Sequence, residues 1–171
     1  AVSDSEIDIT SSAGIIDSLD AIDADSTDMT MSSGATIIVA ASEVDHMLAD
    51  ESAGRLTIDD QAITVNSAAT ISVDTANLLA ATTTGVITAS ITTSETVDEL
   101  KTLTGTGNAY SVTLGELTVA AADVNALVLK STVKPVVNSV TKFTGSLADL
   151  NTLYVTNAAK TTNAAKDEAV T

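Results

Sequence analysis

Few residues in this chain have the type and spacing that chemistry needs, and most of those are acids. Asp17, Asp20, Asp23, Asp25 and Asp28 form an acidic run, and Asp23-x-Asp25-x-x-Asp28 partly matches the oxygen-ligand spacing of a calcium loop. The central glycine and terminal bidentate glutamate of an EF-hand are missing. The same residues therefore also read as the solvated acidic face of a helix and its following turn. Calcium on Asp23, Asp25 and Asp28 is the one ligand reading with residue support, and no other cofactor is expected.

Asp59-Asp60 and Asp98-Glu99 are paired carboxylates, the groups that glycosidases set across a sugar. Asp98-Glu99 belongs to a repeated helix-capping pattern described below, and Asp59-Asp60 reads as a turn between strands. A glycan-depolymerising enzyme of the tailspike type is thus the least favoured reading. His46 is the only histidine. A histidine metal site needs more than one, and acid–base work needs a poised neighbour, so His46 reads as a solvent-facing helix residue. No G-x-S-x-G elbow and no phosphate-cradling glycine loop occurs; Gly105-Thr106-Gly107 reads as a turn. Thr64, Thr88, Thr92 and Thr118 do not establish the strict one-face row that an ice-binding array requires. No catalytic residue is expected, and the chain is read as a non-enzyme.

The elements that hold these residues must be built from small and β-branched side chains. Hydrophobic residues make up 44% of the 171 residues, yet aromatics make up only 2%, namely Tyr110, Phe143 and Tyr154. Such a composition suits thin, regularly stacked layers better than the aromatic-lined pocket of a compact enzyme. The formal net charge is −16, and residues 1–54 contain twelve acids with no Lys or Arg. Clustered Lys and Arg, which phosphate contacts demand, are lacking, so nucleic acid is not an expected partner. Anionic membrane surfaces are disfavoured for the same reason. The absence of cysteine excludes disulfides and thiolate metal sites. No apolar run of about 18 residues could span a bilayer. The chain begins at Ala1, which reads as a processed chain or an excerpt.

Similar segments recur along the chain. Short alternating strand signals stand at Ile7-Asp8-Ile9-Thr10, Ile63-Thr64-Val65 and Leu117-Thr118-Val119. Further strand signals follow at Asp28–Met31, Gly85–Thr88 and Lys134–Val137, and then at Thr36–Val39, Ser90–Thr92 and Val140–Phe143. Ser/Thr-x-x-acid patterns begin at Ser42, Thr96 and Ser146. In each the hydroxyl can accept from a free N–H of the first helical turn and the acid can reach back to the cap. Apolar residues at three-to-four spacing follow, as in Val97, Leu100 and Leu103. The expected fold is mainly β with short helices: a β-solenoid of strand–helix coils, about 27 residues per coil, two coils per repeat of about 50–56 residues. The expected divisions are 1–56 (an acidic first repeat), 57–110, 111–166, and 167–171 as the start of a truncated fourth.

Three phrases carry a resemblance: Ala80-Ala81-Thr82-Thr83-Thr84-Gly85-Val86-Ile87-Thr88-Ala89-Ser90, Gly105-Thr106-Gly107-Asn108-Ala109-Tyr110 and Ala121-Ala122-Asp123-Val124-Asn125-Ala126-Leu127. They are similar to Ala/Thr-rich β-solenoid repeats of giant bacterial surface proteins and of fibre-like virion proteins of marine cyanophages. The resemblance covers most of residues 57–155 and supplies no catalytic residue. It implies long stalks displayed outside a cell or on a virus particle. The glycine-aspartate nonapeptide of calcium-filled β-rolls is absent, so calcium filling of that kind is not implied. The expected function is a structural repeat module of an extracellular or virion fibre, stalk or surface layer. Its expected partners are itself, as a homo-oligomer or by end-to-end stacking, or other surface proteins. The alternative is an adhesin module that binds a cation, a receptor or a cell-surface glycan.

Overall fold

A computed structural model describes the backbone of residues 6–9, 29–66, 69–162 and 169–170, and the side chains of 31–66 and 69–162. It divides into two compact units, Ala1–Ala89 and Ser90–Thr171, with the boundary inside one strand.

In the first unit the main strands are β1 (Glu6–Ile9), β3 (Thr36–Val39), β5 (Ala62–Val65) and β6 (Ile87–Ser90), hydrogen-bonded in that order. All pairings are parallel: Glu6 faces Thr36, Thr36 faces Ala62, and Ile63 faces Ile87. The register aligns Ile37, Ile63 and Ile87, each at most 1% exposed, while Thr64 and Thr88 alternate to the other side. Period-two alternation of β-branched residues gives this one-sided burial. A shorter parallel pair joins β2 (Met29–Thr30) to β4 (Leu56–Thr57).

Parallel neighbours cannot be joined by a tight turn; each needs a crossover of a dozen or more residues, which usually contains a helix. Here α1 (Val44–Ser52) lies between β3 and β4, and α2 (Val73–Thr82) between β5 and β6. Val44 and Met47 of α1, and Val73, Ala76 and Leu79 of α2, form buried stripes at helical spacing, and the two helices pack on each other.

The second unit repeats the logic. The strands β8 (Thr118–Ala120), β9 (Lys142–Thr144) and β10 (Ala169–Val170) form a parallel sheet with β9 in the centre. The strand β7 (Ala109–Ser111) buries Tyr110, and single parallel bridges link Thr113 to Val136 and Val136 to Thr162. The crossovers contain α3 (Val97–Leu100), α4 (Ala121–Leu127) and α5 (Leu147–Asn151), the last continuing into a π-turn at Thr152–Thr156. Phe143 and Tyr154 meet edge to face with ring centroids 6.0 Å apart, beside buried Val119, Leu150 and Leu153.

The expected β-solenoid is therefore corrected. The fold is α/β, with five α-helices and short parallel sheets among the described residues. The strands are two to four residues long, whereas α1 and α2 run to nine and ten. The reason lies in the connections. Apolar residues spaced for helices, such as Val73, Ala76 and Leu79, bury as completely as those of the strands, so helix rather than strand fills much of each crossover.

Candidate functional site

The groups singled out for chemistry sit mostly where they tie one crossover to the next. Asp60 lies on the exposed turn before β5. Its carboxylate accepts a hydrogen bond from the Gly34 N–H at 3.1 Å and another from the Ser33 hydroxyl. Gly34 sits at φ +71, a left-handed turn conformation that glycine adopts without strain. The Ser33 hydroxyl, and after it the Gly34 N–H, hold the Asp60 carboxyl below its ordinary pKa. Asp59 works through its backbone: its N–H donates to Gln61 Oε1 at 2.6 Å, and its carbonyl accepts from the Thr84 N–H at 2.8 Å and hydroxyl at 3.2 Å.

Glu99 closes a full capping box on α3. Its Oε2 accepts from the Thr96 N–H at 2.7 Å and hydroxyl at 2.8 Å, while Thr96 Oγ1 accepts from the Glu99 N–H. The Thr96 backbone N–H first, and its hydroxyl second, lower the Glu99 pKa. Glu116 adds a carboxylate to the same helix start, accepting from the Val97 N–H at 3.1 Å. Asp98 pairs with Lys101 at 2.7 Å, and the same ammonium reaches Asp123 on α4 at 2.7 Å. Asp123, then Asp98, raise the Lys101 pKa. Asp60, Asp98 and Glu99 thus hold turns and helix ends through their carboxylates, and Asp59 holds a turn through its backbone.

His46 is exposed on α1. Thr64 and Thr88 are register partners, but the residue opposite Thr64 on β3 is Ile38, which breaks the threonine row. Asp23, Asp25 and Asp28 lie outside the described residues. Among the described residues no group of three His, Cys, Asp or Glu is placed to hold a metal ion, and no helix is long and apolar enough to cross a membrane.

Two arrangements escaped sequence reasoning. The first is a hydroxyl frame that occurs in both units. In the first, Thr83 Oγ1 donates to Gln61 O at 2.6 Å and accepts from the Gly85 N–H at 2.9 Å, beside the Thr84 bonds to Asp59 O. In the second, Ser131 Oγ donates to Tyr110 O at 2.8 Å and accepts from the Val133 N–H at 3.0 Å. There Thr132 donates to Asn108 O through its N–H at 2.8 Å and its hydroxyl at 3.2 Å, the same two distances found at Thr84. A pairwise match of Thr83-Thr84-Gly85 with Ser131-Thr132-Val133 would have located it. The second is a cleft of about 280 Å³ beside that frame, lined by Val128, Ser131, Thr132, Val133, Lys134 and Lys160. Its lysines are 26 residues apart, and no local motif links them in sequence.

Comparison of the chain with protein-family models, with curated proteins and with solved structures finds no match.

Proposed function

We propose that the chain is a structural module of an extracellular or virion-surface fibre, stalk or surface layer, that it assembles with further copies of itself, and that it catalyses no reaction. The observation that carries this reading is the employment of its polar groups. Asp60, Thr84, Thr132 and Thr141 each bond a turn or strand 24 to 27 residues away, and Glu99 and Asp149 sit at helix starts. Reactive groups elsewhere gather around a cavity; here they are distributed along the crossovers. Assembly is favoured by the strand edges. Among the described residues β1 and β10 are outermost in their sheets, and a parallel edge offers N–H and C=O groups to another strand.

Sedimentation velocity and negative-stain images of the chain over a wide concentration range test this. Thin filaments or end-to-end oligomers that grow with concentration are expected. Compact monomers at every concentration would overturn the reading.

A further inference from the structure

The cleft in the unit Ser90–Thr171 has a composition at odds with the rest of the chain. Of seven basic residues against twenty-three acids, two line it together. Val136 bridges Thr162 in parallel, and two residues before each stand Lys134, on an irregular segment, and Lys160, the last residue of a 3₁₀ turn at Ala158–Lys160. Both line the same cleft, where like charges repel. Arg55 and Lys101 have carboxylate partners, but among the described residues neither Lys134 nor Lys160 makes an ion pair.

The fold does not require a lysine there. In the matching hydroxyl frame of the first unit, the position after Gly85 is Val86, whereas the position after Val133 is Lys134. One frame thus stands with valine and the other carries a cation beside a second cation.

From this geometry we infer that the cleft is a binding site for an acidic saccharide unit, with its carboxylate or sulfate between the ammonium groups of Lys134 and Lys160. The hydroxyls on the wall select the rest of the ligand. Ser131 and Thr132 use their hydroxyl protons on the carbonyls of Tyr110 and Asn108, so they face a ligand as acceptors only. A ligand that satisfies both the lysines and these oxygens carries an anion and hydroxyl donors, which is the chemistry of a sugar acid. Lysine supplies compact point charges with no demand for a planar bidentate partner, which suits carboxylate and sulfate alike. The volume falls just under the range of about 300–1,000 Å³ that holds drug-sized ligands, which leaves room for one or two sugar rings.

The test uses the full chain, labelled for amide NMR and titrated separately with glucuronate, glucose and inorganic sulfate. Glucuronate is expected to move the amides of Ser131–Lys134, and glucose is not. Its affinity is expected to fall about tenfold or more in Lys134→Val and in Lys160→Ala, the loss of one charge-assisted contact each. Lys142→Ala, outside the cleft, is expected to bind as the parent does. Lys134→Val carries the residue found in the matching frame, so an unchanged amide spectrum away from the cleft separates lost binding from lost folding. The inference is overturned if no probe shifts these amides, if sulfate shifts them as strongly as glucuronate, or if glucose binds equally. It is also overturned if glucuronate has no effect while the lysine replacements abolish self-association, because the cleft would then receive a second copy. Failure of glucuronate binding alone leaves the assembly reading standing.

Discussion

Asp60 and Thr83 do the same work with different chemistry. Asp60 is an exposed carboxylate whose two bonds to Ser33 and Gly34 favour its charged form. Its folded pKa is lowered, so the stability it contributes is present above the unfolded value of about 4 and is lost as pH falls through the folded value. Asp60→Asn is therefore expected to lower the melting temperature at neutral pH. The gap from the parent should close as pH drops below about 4, which melting curves at stepped pH will read. Thr83 is buried, and its hydroxyl serves Gln61 O and the Gly85 N–H at once. Thr83→Val keeps the shape and leaves both partners unsatisfied. The expected cost is about 1–3 kcal/mol by chemical denaturation, a size typical of an orphaned buried polar group. Gly85 belongs to the same frame, since a Cβ there would come within 2.3 Å of Gln61 O. These side chains were visible in the sequence as a paired acid and a threonine run. Their distant partners were not, because Ser33, Gly34 and the Gln61 carbonyl lie 22 to 27 residues away and no local pattern encodes that distance.

The helix starts show how far a local pattern reaches. Three Ser/Thr-x-x-acid sequences look equivalent, and two of them cap. Thr96 makes the full box, and Ser146 accepts from the Asp149 N–H at 3.1 Å. Ser42 does not cap, because a 3₁₀ turn at Ala41–Glu43 runs directly into α1 and places Ser42 inside the helical stretch. A third cap, Ser72 on α2, lacks an acid three residues on. Its Oγ accepts from the Thr75 N–H at 3.1 Å, and the Thr75 hydroxyl completes the contact. Replacement of Thr96, Ser146 or Ser72 by alanine is expected to cost about 1 kcal/mol each. Ser42→Ala is expected to stay within about 0.5 kcal/mol of the parent, and parallel urea melts of the four variants separate the groups. Among the strands, those around Ile7–Ile9, Ile63–Val65 and Leu117–Val119 were legible because each alternates over three residues, and Thr36–Val39 because it is a run of β-branched residues. The strands β4 and β7 were not, since two or three residues with one buried side chain make no period. The segment Lys134–Val137 read as a strand, yet only Val136 bridges, and its neighbour Pro135 has no N–H to donate to a ladder.

At the scale of the molecule, charge and topology pull in opposite directions. The unit Ala1–Ala89 contains fifteen acids and one base, Arg55, which is used on the buried carboxylate of Asp50. The unit Ser90–Thr171 contains eight acids and six bases. Parallel pairing builds each unit from strands whose partners lie 24 or more residues away, so the chain closes long loops before it gains their contacts. In the first unit it must do so against its own negative charge. Like charges a few ångströms apart on the surface repel over a Debye length of about 10 Å at 0.1 M salt, and about 3 Å at 1 M. Added salt is therefore expected to stabilise the first unit and to change the second much less, since a near-balanced surface gains as little from screening as it loses. The measurement is amide hydrogen exchange of the whole chain at about 0.02 M and 0.5 M sodium chloride. Protection of Ile37, Ile63 and Leu79 should rise with salt, while that of Val119, Leu127 and Phe143 stays nearly level. Equal gains in both units would show that the acid excess of the first is not what limits its stability. A loss of protection in the first unit would place its acids in attractive pairs that salt weakens.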